Sequence, residues 1–401
     1  MTNTFKTKSM ILEKKMPRIL GNNQFSGKTI LAIDGGYSSV KGVSGNKMFI
    51  YPSYAKKVSE SIQIVGQLKP NDILLRDNTT NTLWAIGSLA ENMIDKTDLA
   101  QTTDESLYTR YRYQSEIFKA IMSAGLAIGL LDTAPGNDIY VSTGLPSTYK
   151  QQDSDELKSV LSGAYDLSIK IGEAPYRNFK FTIKPENINV MEQPQGTLLA
   201  SAYDKNGELL ANGKEIISSN SIIYDIGFGT EDLFVIRGGI NNGHKTYTDT
   251  GMKAVFEATI EEIKKQFKKN NPLCAADFKV FEFQKFLEDG KAIYFNRQNF
   301  ATEMVEFEPI LRKKNSELCR KSIHRLMEEY DNLLDYKNLI ITGGTGESRF
   351  EEIKDILKGL SHLNIIRGNQ NDETLPFSFS NVRGYYIFQY LKLMSELRAQ
   401  Q

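Results

Sequence analysis

Short apolar runs stopped by Asp or glycine recur along this chain and predict its strands. Thr29-Ile-Leu-Ala-Ile33 is apolar and β-branched and ends in Asp34 and two glycines, the pattern of a buried strand closed by a turn. Val40-Lys-Gly-Val43, a Gly45-Asn46 turn and Met48-Phe-Ile-Tyr51 continue it as a meander. Residues 113–131 have helical spacing, and 138–144 read as another strand. Residues 76–110 are polar, with only 83–86 strand-like. The second half restarts the same way: Ser221-Ile-Ile-Tyr224 runs into Asp225, Gly227 and Gly229, then Leu233-Phe-Val-Ile236. Beyond Gly251, the residues Phe256, Ile260, Ile263 and Phe267 fall on one helical face. A charged helix is predicted over 302–330, a strand at 339–341 before Thr342-Gly-Gly344, and an apolar-striped helix over 384–397. Strands alternating with helices in both halves predict an α/β protein with mixed sheets.

One pattern occurs twice. Asp34-Gly-Gly-Tyr-Ser-Ser39 and Asp225-Ile-Gly-Phe-Gly-Thr230 both read Asp, any residue, Gly, aromatic, small residue, hydroxyl. The second copy begins about half a chain length after the first, so the repeat predicts two similar domains; a solenoid has a period of roughly 20–50 residues. A strand–turn–strand rich in glycine lets backbone N–H groups converge on an anion. Ser38, Ser39 and Thr230 add hydroxyl donors. An aspartate at each strand end repels phosphate but can hold Mg²⁺ through water, and the ion bridges to the phosphates. A single Asp-x-Gly can equally be an ordinary hairpin turn; it is the repetition that points to a polyphosphate.

Composition narrows the partners. Lys and Arg number 49, Asp and Glu number 49, and the net charge is zero, which argues against a chain built as a whole to coat nucleic acid. Hydrophobic residues make up 40%, enough for real cores. Cys274 and Cys319 lie in no CxxC, which excludes a zinc ribbon or a disulfide scaffold and fits a reducing cytoplasm. The longest apolar run, 121–131, is shorter than the ~20 residues of a membrane-spanning helix. Lys6, Lys8, Lys14, Lys15, Arg18 and Lys28 against Glu13 alone predict a flexible basic extension over 1–27, without the apolar core of a signal peptide. Gly21-Asn-Asn-Gln-Phe-Ser-Gly27-Lys28-Thr29 imitates a Walker A loop, but it has five residues between the glycines instead of four and leads into a strand. The basic runs at 264–269 and 312–325 read as solvated helix faces or subunit contacts, and His244, His324 and His362 lie in no metal spacing.

In their order, these residues resemble the actin superfamily, whose two related RNase H-like domains flank a nucleotide cleft. Thr143-Gly-Leu-Pro-Ser147, Gln193-Pro-Gln-Gly-Thr-Leu-Leu199, Ile341-Thr-Gly-Gly344 and Ser380-Asn-Val-Arg-Gly-Tyr385 are similar to the ParM-like plasmid-segregation actins of Gram-positive plasmids. The likeness covers about residues 28–398. It implies one domain over 28–218 plus 377–401 and a second over 219–376. It implies Asp34 and Asp225 on the water shell of Mg²⁺, and Gly35, Gly36, Tyr37, Ser38 and Ser39 around the phosphates with Lys41 beside them. Gly227, Phe228, Gly229 and Thr230 would serve from the other side. Gly343, Gly344 and Thr345 would carry the adenosine, with Thr345 where relatives usually have glycine. Lys253 and Glu257 would touch the ribose, or form a solvated helix face. Gln193, with Gln195 as the second candidate, would orient the attacking water.

The resemblance further implies an ATPase that binds ATP and ADP, with GTP as an alternative, and that forms filaments with itself. It would move plasmid DNA in the cytoplasm through a ParR-like adaptor on centromere DNA, with no direct sequence-specific nucleic acid binding and no membrane. The same superfamily core also serves sugar kinases and actin-like cytoskeletal proteins without a segregation role.

Overall fold

In a computed structural model of the chain, the described residues are 10–13, 27–45, 47–60, 66–94, 110–131, 133–204, 206–270, 279–287, 289–296 and 299–399. Most of the 1–27 extension, most of the Walker A imitation and Cys274 lie outside them. Met10–Glu13 corrects the expectation of a free extension: it is a strand, antiparallel to Lys47–Pro52. Its alternation explains why, since Ile11 packs against one apolar cluster and Met10 against another.

The chain divides into two compact units. One is Ser218–Arg367; the other takes the described residues up to Ile217 and those from Gly368. The return to the larger unit thus falls at Gly368, ahead of the expected 377. Asn371 is tied there, its Nδ2 donating to the carbonyls of Ala200 (3.2 Å) and Ser201 (2.7 Å).

The larger unit is built on a six-stranded sheet. Met10–Glu13, Lys47–Pro52, Ser39–Ser44 and Lys28–Gly35 lie in that order and pair antiparallel, and Asp138–Leu145 and Ile188–Glu192 extend the sheet in parallel. A second, antiparallel sheet joins Arg177–Ile183, Gly163–Ile171, Ile73–Asp77, Thr82–Ile86 and Ala55–Val58. Of these strands only Thr82–Ile86 was legible. Arg177–Ile183 exposes most of its side chains, so no apolar run marks it. The predicted helix at 113–131 is Glu116–Gly129, N-capped by Ser115 Oγ, which accepts from the Phe118 N–H at 3.0 Å.

The smaller unit repeats the five-strand order. Ile240–Tyr247, Glu231–Arg237 and Ser221–Ile226 form an antiparallel meander, and Asn338–Thr342 and Asn364–Arg367 follow in parallel. The duplicated motif thus marks a duplicated topology. The charged helix begins later than predicted, at Glu308 with Pro309 in its first turn; Ala301–Glu306 is a strand paired with Lys291–Asn296. That strand, Ala301-Thr-Glu-Met-Val-Glu306, shows no polar/apolar alternation and exposes most of its side chains, so nothing in the sequence set it apart from the helix.

Candidate functional site

Strand registers place the aspartates. In the larger unit Asp34 ends Lys28–Gly35 and lies across from Lys41 on the neighbouring strand. It is buried, 3% exposed, and both carboxylate oxygens have partners. Lys41 Nζ donates to Oδ2 at 3.0 Å, and Gln193 Nε2 donates to Oδ1 at 3.3 Å. Three residues singled out from sequence, 159 positions apart at the extreme, therefore meet at one carboxylate.

Gln193 opens the Gln193–Ala202 helix, and Gln195 has a different task. Its Oε1 accepts from the Glu192 N–H at 3.3 Å, and the Glu192 carboxylate takes the Gln195 N–H, which makes a capping box. The Gln193 amide nitrogen is thus held by Asp34, and its Oε1 remains an acceptor.

Two side chains that sequence reasoning passed over hold this turn. Ser53 Oγ donates to the Gly36 carbonyl at 2.7 Å. Arg112 is buried, donates to the Gly35 carbonyl, and stacks its guanidinium 4.1 Å from the Tyr37 ring centroid. Neither sits at a spacing that connects it with residues 34–39. The alternation Arg110-Tyr-Arg-Tyr113 is the only sequence signal, and it marks no ligand by itself.

In the smaller unit Asp225 ends Ser221–Ile226, 6% exposed, with Asp232 opposite it where the first copy has Lys41. The Gly227 N–H donates to the Thr230 carbonyl at 2.8 Å and closes the turn. The Thr230 hydroxyl donates to Asp232 at 2.8 Å and is committed inward. Gly343 has φ +83°, and a Cβ there would run into the Ile226 carbonyl and the Asp225 carboxylate, so only glycine fits. Gly344 starts the Gly344–Leu357 helix and has open space around it. Thr345 Oγ1 donates to the Gly227 carbonyl at 2.7 Å. The Thr345 hydroxyl thus fastens this helix to the aspartate loop. Lys253 N–H donates to the Phe228 carbonyl at 2.8 Å, while its ammonium pairs with Glu257 at 3.7 Å on a part-exposed helix face.

The smaller unit thus gathers Asp225, Gly227, Phe228, Thr230, Lys253, Gly343, Gly344 and Thr345, and the larger one gathers Asp34, Gly35, Gly36, Tyr37, Ser38, Ser39, Lys41 and Gln193. Asp34 and Asp225, each buried at a strand end of its own unit, offer the hard oxygen donors that Mg²⁺ takes. Among the described residues no group of three or more His, Cys, Asp or Glu is arranged to hold a metal by itself, and no helix is long and apolar enough to cross a membrane.

A strand–turn–strand repeated in two units of the same strand order defines an actin-like fold. Residues 32–196 match the family model for the N-terminal domain of actin-like proteins. A 15-stranded ParM filament from Clostridium botulinum is similar at 20% identity and TM-score 0.66, over 91% of this chain and 99% of that one. The actin-like protein Alp7A is similar at 14% identity and TM-score 0.62, over 92% and 98%. Ta0583, an archaeal actin homolog in complex with ADP, is similar at 16% identity and TM-score 0.56, over 89% and 98%. No curated protein sequence matches the chain.

Proposed function

We propose that this chain is a nucleotide-dependent, filament-forming ATPase that moves plasmid DNA through an adaptor protein in the cytoplasm. The observation that carries the reading is the Asp34 carboxylate, shared between Lys41 and Gln193 beside a glycine turn. Phosphoryl hydrolysis needs a cation for the phosphates, a carboxylate for the metal's waters and a group that orients the attacking water. In this reading the turns at 34–41 and 225–231 each contact nucleotide phosphate. Backbone N–H groups of Gly35 to Ser39 and of Phe228 to Thr230 bind the phosphates, and Gly227 lets the second turn close. Asp34 and Asp225 would hold Mg²⁺, which would supply positive charge to the phosphates.

Gln193 Oε1 accepts from the attacking water and aims it. Glutamine is a weak base, which suits slow hydrolysis. Lys41 supplies a cation beside the phosphates. Gly343, Gly344 and Thr345 pack against the adenosine and Lys253 with Glu257 against the ribose; ADP is the product, and GTP is the alternative substrate. The ADP complex of Ta0583 and the Clostridium botulinum filament support nucleotide binding and self-assembly by proteins of this fold. The partners are other copies of the chain and a ParR-like adaptor on centromere DNA. Phosphate release by Asp225→Ala tests the site: most turnover is lost, whereas wild-type turnover would assign the metal's water shell to another carboxylate.

A further inference from the structure

Behind the Asp225 turn lies a buried charge cluster that the catalytic reading does not use. Side chains alternate along paired strands, so Asp225 and Asp232 share one face while Tyr224 and Glu231 share the other. Glu231 is fully buried. Its Oε1 accepts from Arg349 Nη1 at 3.0 Å, and its Oε2 accepts from Tyr224 (2.5 Å), Ser322 (2.9 Å) and Arg325 (3.3 Å). Arg349 is also fully buried, and its Nε donates to Asn315 at 2.9 Å. Arg325 reaches on to Thr250 (2.8 Å) and Asp249 (2.7 Å).

Three segments therefore converge on one carboxylate, the aspartate turn, the Glu308–Glu329 helix and the Gly344–Leu357 helix, and Arg325 ties in a fourth, the chain leading to Lys253. Three of these four carry residues assigned above to the nucleotide. Gly343 and Thr345 press on Asp225 and Gly227 from the front of the Gly344–Leu357 helix, and Arg349 holds the same helix from behind.

We infer that Glu231 is a positioning residue that sets Asp225 against Gly343 and passes the occupancy of the turn to the Glu308–Glu329 helix. The inference rests on the nucleotide reading of the same turn. A buried pair is a weak source of stability but a strong constraint, because removing one partner strands the other charge. Cys319 reports on it. It lies on the same helix, 1% exposed, with its thiol pushed up to about 12 mainly by burial, so it reacts only when the cluster opens.

The test uses the full chain with Cys274→Ser, leaving Cys319 as its only thiol. Thiol labelling and Mg·ATP affinity are measured for that protein, for Glu231→Gln with Arg349→Met, which removes both charges together, and for the milder Ser322→Ala. Saturating Mg·ATP is expected to slow Cys319 labelling about tenfold or more in the parent. In the double variant affinity falls about tenfold and the protection is lost, with Ser322→Ala in between, the scale of coupling expected between residues in one network. Folded variants with parental affinity and parental protection would overturn the inference, and a lower melting temperature with both readouts unchanged would reduce Glu231 to a structural role. If the double variant does not fold, Ser322→Ala decides by the same two readouts. A parent that binds no Mg·ATP refutes the nucleotide reading itself and this inference with it; a parent that binds it without protecting Cys319 refutes the inference alone.

Discussion

At the scale of single residues, Gln193 and Gln195 differ by what each already does. Gln193 touches Asp34 and acts, in the proposed mechanism, only as the water attacks, so its loss belongs in turnover. Gln193→Ala is expected to slow hydrolysis on the order of 10–1,000-fold with ATP affinity nearly intact, measured by single-turnover phosphate release beside direct binding. Gln195→Ala is expected to lower stability by about 1 kcal/mol through its lost cap, with hydrolysis unchanged. The reverse assignment of effects would contradict the register. Asp249 gives a pH test of the charge cluster. Burial works against its ionisation, but hydrogen bonds from Lys321 and Arg325 outweigh burial and hold the carboxyl at about 2, below its ordinary 3.8. Its folded value is depressed, so its contribution is present above the ordinary value and is lost as pH falls toward about 2. Melting temperatures of wild type and Asp249→Asn should differ at neutral pH and converge near pH 2.

At the scale of elements, the crossing of Gln193–Ala202 with Ser380–Ala399 fixes where Gln193 stands. A Cβ on Gly384 would overlap the Gly196 carbonyl, and one on Gly196 would meet the Asn381 backbone; Thr197 Oγ1 donates to Asn381 Oδ1 at 2.7 Å beside this contact. Gly384→Ala is therefore expected to destabilise the larger unit by about 1–3 kcal/mol, read as a lower denaturation midpoint. An unchanged midpoint would mean the helices can separate freely. Both motifs were visible in the sequence, but the reason for their glycines was not, because a close crossing joins residues far apart along the chain. Strands with continuous apolar runs, such as Thr29–Ile33 and Leu339–Ile341, were legible for the opposite reason: burial on both faces leaves a local mark. Gly163–Ile171 and Arg177–Ile183 leave little such mark, and Arg112 and Glu231 act through contacts that spacing does not encode.

At the scale of the whole molecule, the repeated Asp-x-Gly pattern foretold two units of one topology, and both carry the same five-strand order. The copies differ at the position opposite the aspartate, Lys41 in one and Asp232 in the other. The proposed division of labour follows, with a cation and a water-orienting amide in the larger unit and a carboxylate pair backed by Glu231 in the smaller. A nucleotide favours assembly only by binding one protomer conformation better than another, so the proposed function requires ATP to favour the assembling conformation more than ADP does. Sedimentation of the purified chain with Mg·ATP, with Mg·ADP and without nucleotide tests this most directly. The account predicts a pellet with Mg·ATP above a threshold protein concentration, a weaker one with Mg·ADP, and none without nucleotide. Protein that stays in the supernatant with Mg·ATP across protein and salt concentrations would contradict it.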